Sequence, residues 1–357
     1  MTKVLVVDDS ALMRRVVGAI LREAGFEVAT AKDGVEALDL IHAFAPDVVT
    51  LDVQMPRMDG LACLDRIMVE HPCPVVMLSS LTTEGTETTL EALELGAVDF
   101  LPKPDGAVSL AVDEFGPILV ETVTAAAKAR VRRSHRLLER VRGQRSADVA
   151  PEPRERAPWR RAGASEEVGL VLVGSSTGGP PALDAVLSEL PEDFPWPVLV
   201  AQHMPASFTG SLAARLNGLC ALPVIEVTRP TPIEGGGIYI ARGDADMIVS
   251  RRVQGLMALP APSSTKHRWH PSVDRLVASA MSHVPAVQLV GVLMTGMGND
   301  GATTMAALRA AGGRTIAESE ATAVVWGMPG ELVRADGADH VEDVDAISAR
   351  LLQLVGS

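Results

Sequence analysis

Two sets of chemically capable residues sit at the ends of apolar runs. In the first hundred residues, Asp8 and Asp9 follow the run Val4–Val7 and Asp52 follows Asp47–Leu51. Ser79 closes the run Pro74–Ser79, and Lys103 follows Val98–Leu101. Three carboxylates gathered on one rim repel each other. A hard divalent cation with oxygen ligands is their natural counter-charge, and magnesium fits. A carboxylate beside such a cation and a lysine can attack a phosphoryl group, because both positive charges neutralise the charge that develops. One acid at a strand end is usually a cap or a solvated turn, so the argument rests on the recurrence.

The second set begins at Gly174-Ser175-Ser176-Thr177-Gly178-Gly179-Pro180. Glycines permit a tight strand-to-helix turn, and Pro180 is tolerated in a first helical turn. Three readings compete. The loop could cradle phosphate, but it has neither the GK[ST] ending nor the G-x-G-x-x-G spacing. Ser176 or Thr177 could be a helix N-cap. Or Ser176, the centre of G-x-S-x-G, is a nucleophile beside backbone N–H groups that stabilise an oxyanion. A nucleophilic serine needs a base, and His203 follows the next strand-like run, Pro197–Gln202. The base needs a carboxylate to hold its tautomer. Asp300 lies in Gly296-Met297-Gly298-Asn299-Asp300-Gly301, after the run Val287–Thr295. Capping the helix that follows is the competing role for Asp300. His270 with Pro271-Ser272-Val273-Asp274 either lines a cleft or caps a helix, and Trp326-Gly327-Met328-Pro329 reads as a shaped loop.

The elements that must carry these residues alternate. Short apolar runs at Val4–Val7, Glu27–Ala31, Asp47–Leu51, Pro74–Ser79 and Val98–Leu101 are separated by helix-length segments such as Ser10–Glu23. That pattern predicts a parallel sheet covered on both faces, whose ligands bind at the strands' carboxyl ends. The alternation resumes at Val168. Strands are predicted at Val168–Val173, Pro197–Gln202, Gly237–Ala241 and Val287–Thr295. Helices are predicted at Leu183–Leu190, Phe208–Leu219, Val273–Met281 and Ala302–Ala311. Between the two regions arginines crowd in from Arg130 to Arg145, and Pro151, Pro153 and Pro158 break any helix. This reads as a solvated tether. The expected organisation is residues 1–125, a linker over 126–166, and residues 167–357.

The ordered set VVDDS, LDVQMPRMDG, MLSS and LPKP closely resembles the receiver domain of two-component response regulators. The resemblance implies a doubly wound, five-stranded, flavodoxin-like fold with Asp52 as phospho-acceptor. By it, Asp9, Asp52 and the main-chain carbonyl of Gln54 hold magnesium, with Asp8 behind them. Lys103 binds phosphoryl oxygens over a cis peptide to Pro104, while Ser79 and Phe100 report phosphorylation. Gln54 stands where such receivers often carry an acid. In the second region the order Ser176, His203, Asp300 is not that of the α/β-hydrolases. The blocks GSSTGGP, QHMPASFTGSLAARL, HPSVDRL, TGMGNDGA and VVWGMPG instead resemble the C-terminal domain of the chemotaxis protein-glutamate methylesterase family, CheB. That implies a Rossmann-like α/β domain with Ser176 as nucleophile, His203 as base and Asp300 as its orienting carboxylate. The N–H groups of Met297 and Thr177 are the implied oxyanion donors. Ser175 stands where alanine is more usual. The implied activity is phosphorylation-controlled hydrolysis of glutamyl methyl esters on chemoreceptor helices, with deamidation of receptor glutamines. A histidine kinase is the implied phosphodonor, and the esterase step needs no cofactor.

Bulk composition narrows the alternatives. A formal net charge of −13 argues against general binding to nucleic acid or anionic membrane. No apolar run approaches the ~18 residues of a membrane span, and MTKVLVVDDSALMRR is unlike a secretory leader. Three cysteines, Cys63, Cys73 and Cys220, lie far apart with no CxxC pair, as in a reducing cytoplasm. A regulator with a DNA-binding output, a dinucleotide-binding module, and a related esterase in a pathway other than motility are the rival expectations.

Overall fold

The computed structural model describes residues 1–80, 82–104, 108–129 and 169–356. The chain divides into two compact units, Met1–Arg154 and Glu155–Ser357. Most of the expected linker, from residue 130 to 166, lies outside the described residues.

In the first unit β1 (Lys3–Val7), β2 (Glu27–Ala31), β3 (Val48–Asp52), β4 (Val75–Ser79) and β5 (Asp99–Pro102) form a parallel sheet in the order β2-β1-β3-β4-β5. Every residue of β3 and β4 is buried, as expected of strands covered on both faces. The helices are α1 (Ala11–Glu23), α2 (Gly34–Phe44), α3 (Gly60–Glu70), α4 (Thr83–Leu95) and α5 (Val108–Ala126). Ser10, Asp33, Asp59 and Thr82 cap α1 to α4, each accepting from an N–H of the first turn. Strand order reverses between β1 and β3, which opens a crevice at their carboxyl ends. The cis bond expected between Lys103 and Pro104 is absent. Among the described residues the cis peptide joins His270 and Pro271.

In the second unit β6 (Leu170–Ser175), β7 (Val198–Gln202), β8 (Val224–Val227), β10 (Ile238–Ala241), β13 (Leu289–Leu293), β14 (Arg314–Glu318) and β15 (His340–Glu342) form a parallel sheet. Its order is β15-β14-β13-β6-β7-β10-β8. A second, antiparallel sheet contains β9 (Thr231–Pro232), β11 (Ala245–Arg252) and β12 (Gly255–Pro262). The helices are α6 (Gly179–Leu187), α7 (Ala206–Leu219), α8 (Val273–Met281), α9 (Ala302–Ala310), α10 (Met328–Arg334) and α11 (Val344–Val355). The small sheet has no counterpart among the sequence expectations. Pro260 and Pro262 fall within β12 and mask its strand pattern. Met247 and Val249 of β11 pack with Val273, Leu276 and Val277 of α8, so the small sheet shares the main core.

Candidate active site and acidic cluster

In the second unit β6 and β13 are neighbours, as are β6 and β7. The three expected residues therefore follow three contiguous strands. The chain turns sharply after β6. Gly178, at φ 74°, is the N-cap of α6, with no side-chain capping bond. Neither Ser176 nor Thr177 is the cap, so the Ser176 hydroxyl is not spent on the helix. Ser176 is held through its main chain instead. Its N–H donates to Thr295 O at 2.9 Å, and its carbonyl accepts from Gly179 N at 2.7 Å. Gly296 closes against it, since a Cβ at Gly296 would lie 2.7 Å from Ser176 Cβ.

His203 N donates to Ser175 O at 3.0 Å, which sets the His203 main chain beside that leading into Ser176. Its Nε2 lies 2.8 Å from Asp300 Oδ2. Its Nδ1 is buried without a hydrogen-bond partner. The structure thus joins His203 to Asp300 but makes no bond between the ring and the Ser176 hydroxyl. Base–nucleophile contacts of this kind commonly tighten only when substrate is bound. The Trp269 ring stacks nearly parallel to the imidazole, with an interplanar angle of 5° and a centroid separation of 6.0 Å.

Asp300 does not cap its own helix, for Gly301 is the N-cap of α9. Its carboxylate receives the N-terminus of α8. Oδ2 accepts from Val273 N at 2.7 Å, and Oδ1 accepts from Asp274 N at 3.0 Å and Ser272 Oγ at 3.1 Å. Burial works to raise its pKa. The hydrogen bond and charge of His203, with those two N–H groups, outweigh burial and hold it below the ordinary aspartate range. Ser272 also caps α8, and the same segment meets the Asp300 carboxylate, so the two roles weighed for it coexist. His270 belongs to a separate pair, its Nδ1 2.8 Å from Asp246 Oδ1. Asp246 further accepts from Ser272 N at 2.7 Å and Arg275 at 2.6 Å. Of the expected loop, Trp326 and Gly327 form the turn, whereas Met328 and Pro329 already belong to the first turn of α10. Gly296 N donates to Val325 O at 3.0 Å, and Gly296 O accepts from Gly327 N and Met328 N.

Sequence reasoning missed Asp246, Gln202, Trp269 and Glu318. Glu318 is buried and accepts from Thr295 N at 2.7 Å, fixing the loop that holds Ser176 N. The available signal was weak: an acid closing the short strand Arg314–Glu318, whose burial only the fold reveals.

In the first unit the acidic cluster assembles as expected. Lys103 Nζ lies 2.7 Å from Asp52 Oδ2 and 2.9 Å from Asp8 Oδ2. Asp8 and Asp52 are buried and Asp9 is exposed. Burial raises the Asp52 pKa and Asp8 adds to this, more than the Lys103 bond and charge lower it. Burial works to lower the Lys103 pKa, but its bonds to Asp52 and Asp8 leave it raised. One carboxylate oxygen from each of Asp8, Asp9 and Asp52 lies within 4.8 Å of the others. An all-oxygen, multiply anionic set open on the Asp9 side fits a hard cation such as magnesium. Gln54 N donates to Asp52 Oδ1 at 3.3 Å, which places residue 54 at the rim. The Ser79 hydroxyl is engaged with α4, donating to Gly85 O at 3.1 Å and accepting from Thr89 Oγ1 at 2.7 Å. Phe100 is buried in β5.

A sheet with a lysine-closed acidic crevice, followed by a parallel α/β unit with a serine and a His–Asp pair at one rim, is the layout of a response regulator with a hydrolase output. Residues 4–111 match the response regulator receiver domain, and residues 171–351 match the CheB methylesterase. The chain belongs to the CheB methylesterase family. It is 55% identical to protein-glutamate methylesterase/protein-glutamine glutaminase 2 of Rhodopseudomonas palustris strain BisB18, over 99% of this chain and 98% of that one. The corresponding protein 3 of Rhodospirillum rubrum is 52% identical over 98% and 95%. The crystal structure of the Thermotoga maritima CheB methylesterase catalytic domain covers 53% of this chain and all of that one, with 34% identity and a TM-score of 0.51.

Proposed function

We propose that this chain is a phosphorylation-activated protein-glutamate methylesterase and protein-glutamine glutaminase acting on the cytoplasmic helices of chemoreceptors. The observation that carries the reading is the His203 Nε2–Asp300 contact of 2.8 Å, which leaves a buried, unpartnered Nδ1 on a ring whose main chain adjoins Ser176. With Nε2–H committed to the carboxylate, Nδ1 is the basic nitrogen. Ser176 Oγ attacks the carbonyl of a glutamyl methyl ester as its proton passes to Nδ1. Asp300 holds the ring and stabilises the imidazolium. The Met297 N–H, joined by that of Thr177, receives the developing oxyanion. The proton then goes to departing methanol, and water, deprotonated by the same nitrogen, hydrolyses the acyl-enzyme. A glutamine side chain follows the same course and releases ammonia.

Control falls to the first unit. Asp52 accepts the phosphoryl group from a chemotaxis histidine kinase, and Lys103 neutralises its oxygens. Magnesium, held by Asp9, Asp52 and the Gln54 carbonyl with Asp8 behind, supplies positive charge to the phosphoryl oxygens when bound. Ser79 and Phe100 transmit the change. The receiver spans residues 1–125 and the esterase 167–357. Membership of the CheB methylesterase family supports a cytoplasmic location; no helix among the described residues is long and apolar enough to cross a membrane. The test is methanol release from methylated receptor by the full chain, with and without a small phosphodonor and magnesium. Ser176→Ala abolishes release if the reading is right, and retained release refutes it.

A further inference from the structure

Ser175 and Gln202 end the adjacent strands β6 and β7 and stand in register, so their side chains emerge on the same face. Both are buried. The Gln202 amide makes contacts that leave no freedom in its orientation. Nε2 lies 2.9 Å from Ser176 O and 3.1 Å from His203 O. Carbonyl oxygens only accept, so both amide hydrogens must point at them. Oε1 therefore faces the other way, 2.7 Å from Ser175 Oγ, and the hydroxyl must donate to it. The space for this amide exists because residue 179 is glycine. A Cβ there would lie 1.9 Å from Oε1.

We infer that Ser175 and Gln202 are positioning residues, a hydroxyl–amide bracket that clamps the main chain of the nucleophile to the main chain of the base. Neither side chain touches the reacting atoms. The amide ties the carbonyl of Ser176 to that of His203, and the Ser175 hydroxyl keeps the amide from turning over. A reversed amide would set oxygen against two carbonyl oxygens, and the carbonyl of Ser176 would move away with its Oγ. Ser175 thus takes its role from its partner and not from its nearness to the nucleophile.

The inference rests on the esterase reading, and its test is built to fail separately from that reading. Ser175→Ala and Gln202→Glu are compared with wild type and Ser176→Ala in methanol release from methylated receptor by the full chain. Competent sites are counted at the end-point of fluorophosphonate labelling of the serine. In Gln202→Glu a displaced nucleophile predicts kcat per labelled site lowered about 10- to 100-fold with KM unchanged, and labelling slowed in proportion, since ~1 Å of misplacement costs about 10²-fold; Ser175→Ala, which leaves both amide bonds to the carbonyl oxygens in place, loses less, about 3- to 10-fold. A merely structural role lowers the number of labelled sites or the Tm and leaves kcat per site at the wild-type value. That result overturns the inference. Should Gln202→Glu not fold, Ser175→Ala decides alone. If Ser176→Ala is inactive while both bracket variants run at wild-type kcat, only the inference falls; if Ser176→Ala is active, the esterase reading falls with it.

Discussion

Asp300→Asn is the substitution whose consequence the geometry defines most closely. The carboxylate accepts four hydrogen bonds, from His203 Nε2, Val273 N, Asp274 N and Ser272 Oγ. Asparagine offers one oxygen and one NH2. If the oxygen takes the Oδ1 place, the NH2 faces Val273 N–H and His203 Nε2. The ring then turns to the tautomer with its proton on Nδ1, and Nδ1 no longer accepts from Ser176. If the oxygen takes the Oδ2 place, the tautomer survives, but the NH2 faces Asp274 N–H. Either way one main-chain donor at the start of α8 is orphaned and the charge that stabilises the imidazolium is lost. An orphaned buried donor costs about 1–3 kcal/mol, and hydrogen bonds to charged groups contribute about 1.5–3 each. Relief of the buried charge offsets part, so the expected stability loss is about 2–4 kcal/mol. The corresponding substitution in the serine-protease triad lowers kcat ~10⁴-fold, and a loss of 10³- to 10⁴-fold is expected here. Because the Asp300 carboxyl is held below its ordinary value of 3.8 in the folded chain, its contribution is complete above that pH. It fades as pH falls through the depressed folded value. The Tm gap between wild type and Asp300→Asn is therefore constant from about pH 5 upward and closes in stronger acid. The assays are methanol release at saturating receptor and thermal melts across pH. A variant within tenfold of wild-type kcat would refute the assignment of Asp300 as the orienting carboxylate.

Two further substitutions probe the loop and the acidic cluster. Gly296→Ala places a Cβ 2.5 Å from Met328 Sδ and 2.7 Å from Ser176 Cβ. The sulfur can yield but the serine Cβ cannot without moving the nucleophile, so kcat should fall about 10²-fold with the fold intact. Near-wild-type turnover would show that the loop absorbs the methyl without moving the serine. Asp52→Asn should raise the thermal stability of the first unit in the absence of divalent cation, since burial and Asp8 disfavour the ionised carboxyl more than Lys103 favours it. The same variant should lose the stabilisation that added magnesium gives the wild type, and a lower Tm without metal would reverse the sign of that argument.

The site was legible in the sequence wherever a strand of the parallel sheets is buried on both faces. Such strands read as short apolar runs, and the side chains that follow them must reach one rim. Asp8, Asp52, Lys103, Ser176, His203 and Asp300 were found that way, and the helix Val273–Met281 was placed to the residue. What stayed hidden depends on contacts between distant segments. Asp246 lies within β11, and nothing nearby announces that it meets His270, Ser272 and Arg275. Gln202 reads as the polar end of a strand until Ser175 is known to stand in register with it. The capping roles weighed for Ser176 and Asp300 were locally reasonable. They were excluded only by Gly178 and Gly301, whose left-handed backbones at φ 74° and 88° occupy the cap positions instead.

Asp300 at the start of α8 gives the small antiparallel sheet a reason to exist. The N-terminus of a helix carries positive charge, and a carboxylate seated there is stabilised. The His203 ring is therefore oriented by a side chain whose own place is set by where α8 begins. That point is fixed from the other side. Asp246, on β11, accepts from Ser272 N at 2.7 Å and from the Arg275 guanidinium at 2.6 Å. Ser272 in turn donates its hydroxyl to Asp300 Oδ1. An unbroken run of hydrogen bonds thus leads from β11 through Ser272 and Asp300 to the imidazole. The parallel sheet supplies the three strand ends, but it leaves open where the helix bearing the carboxylate's donors starts. The hairpin β11–β12 closes that freedom, and this is how a segment with no counterpart among the sequence expectations contributes to the geometry of the His203–Asp300 pair.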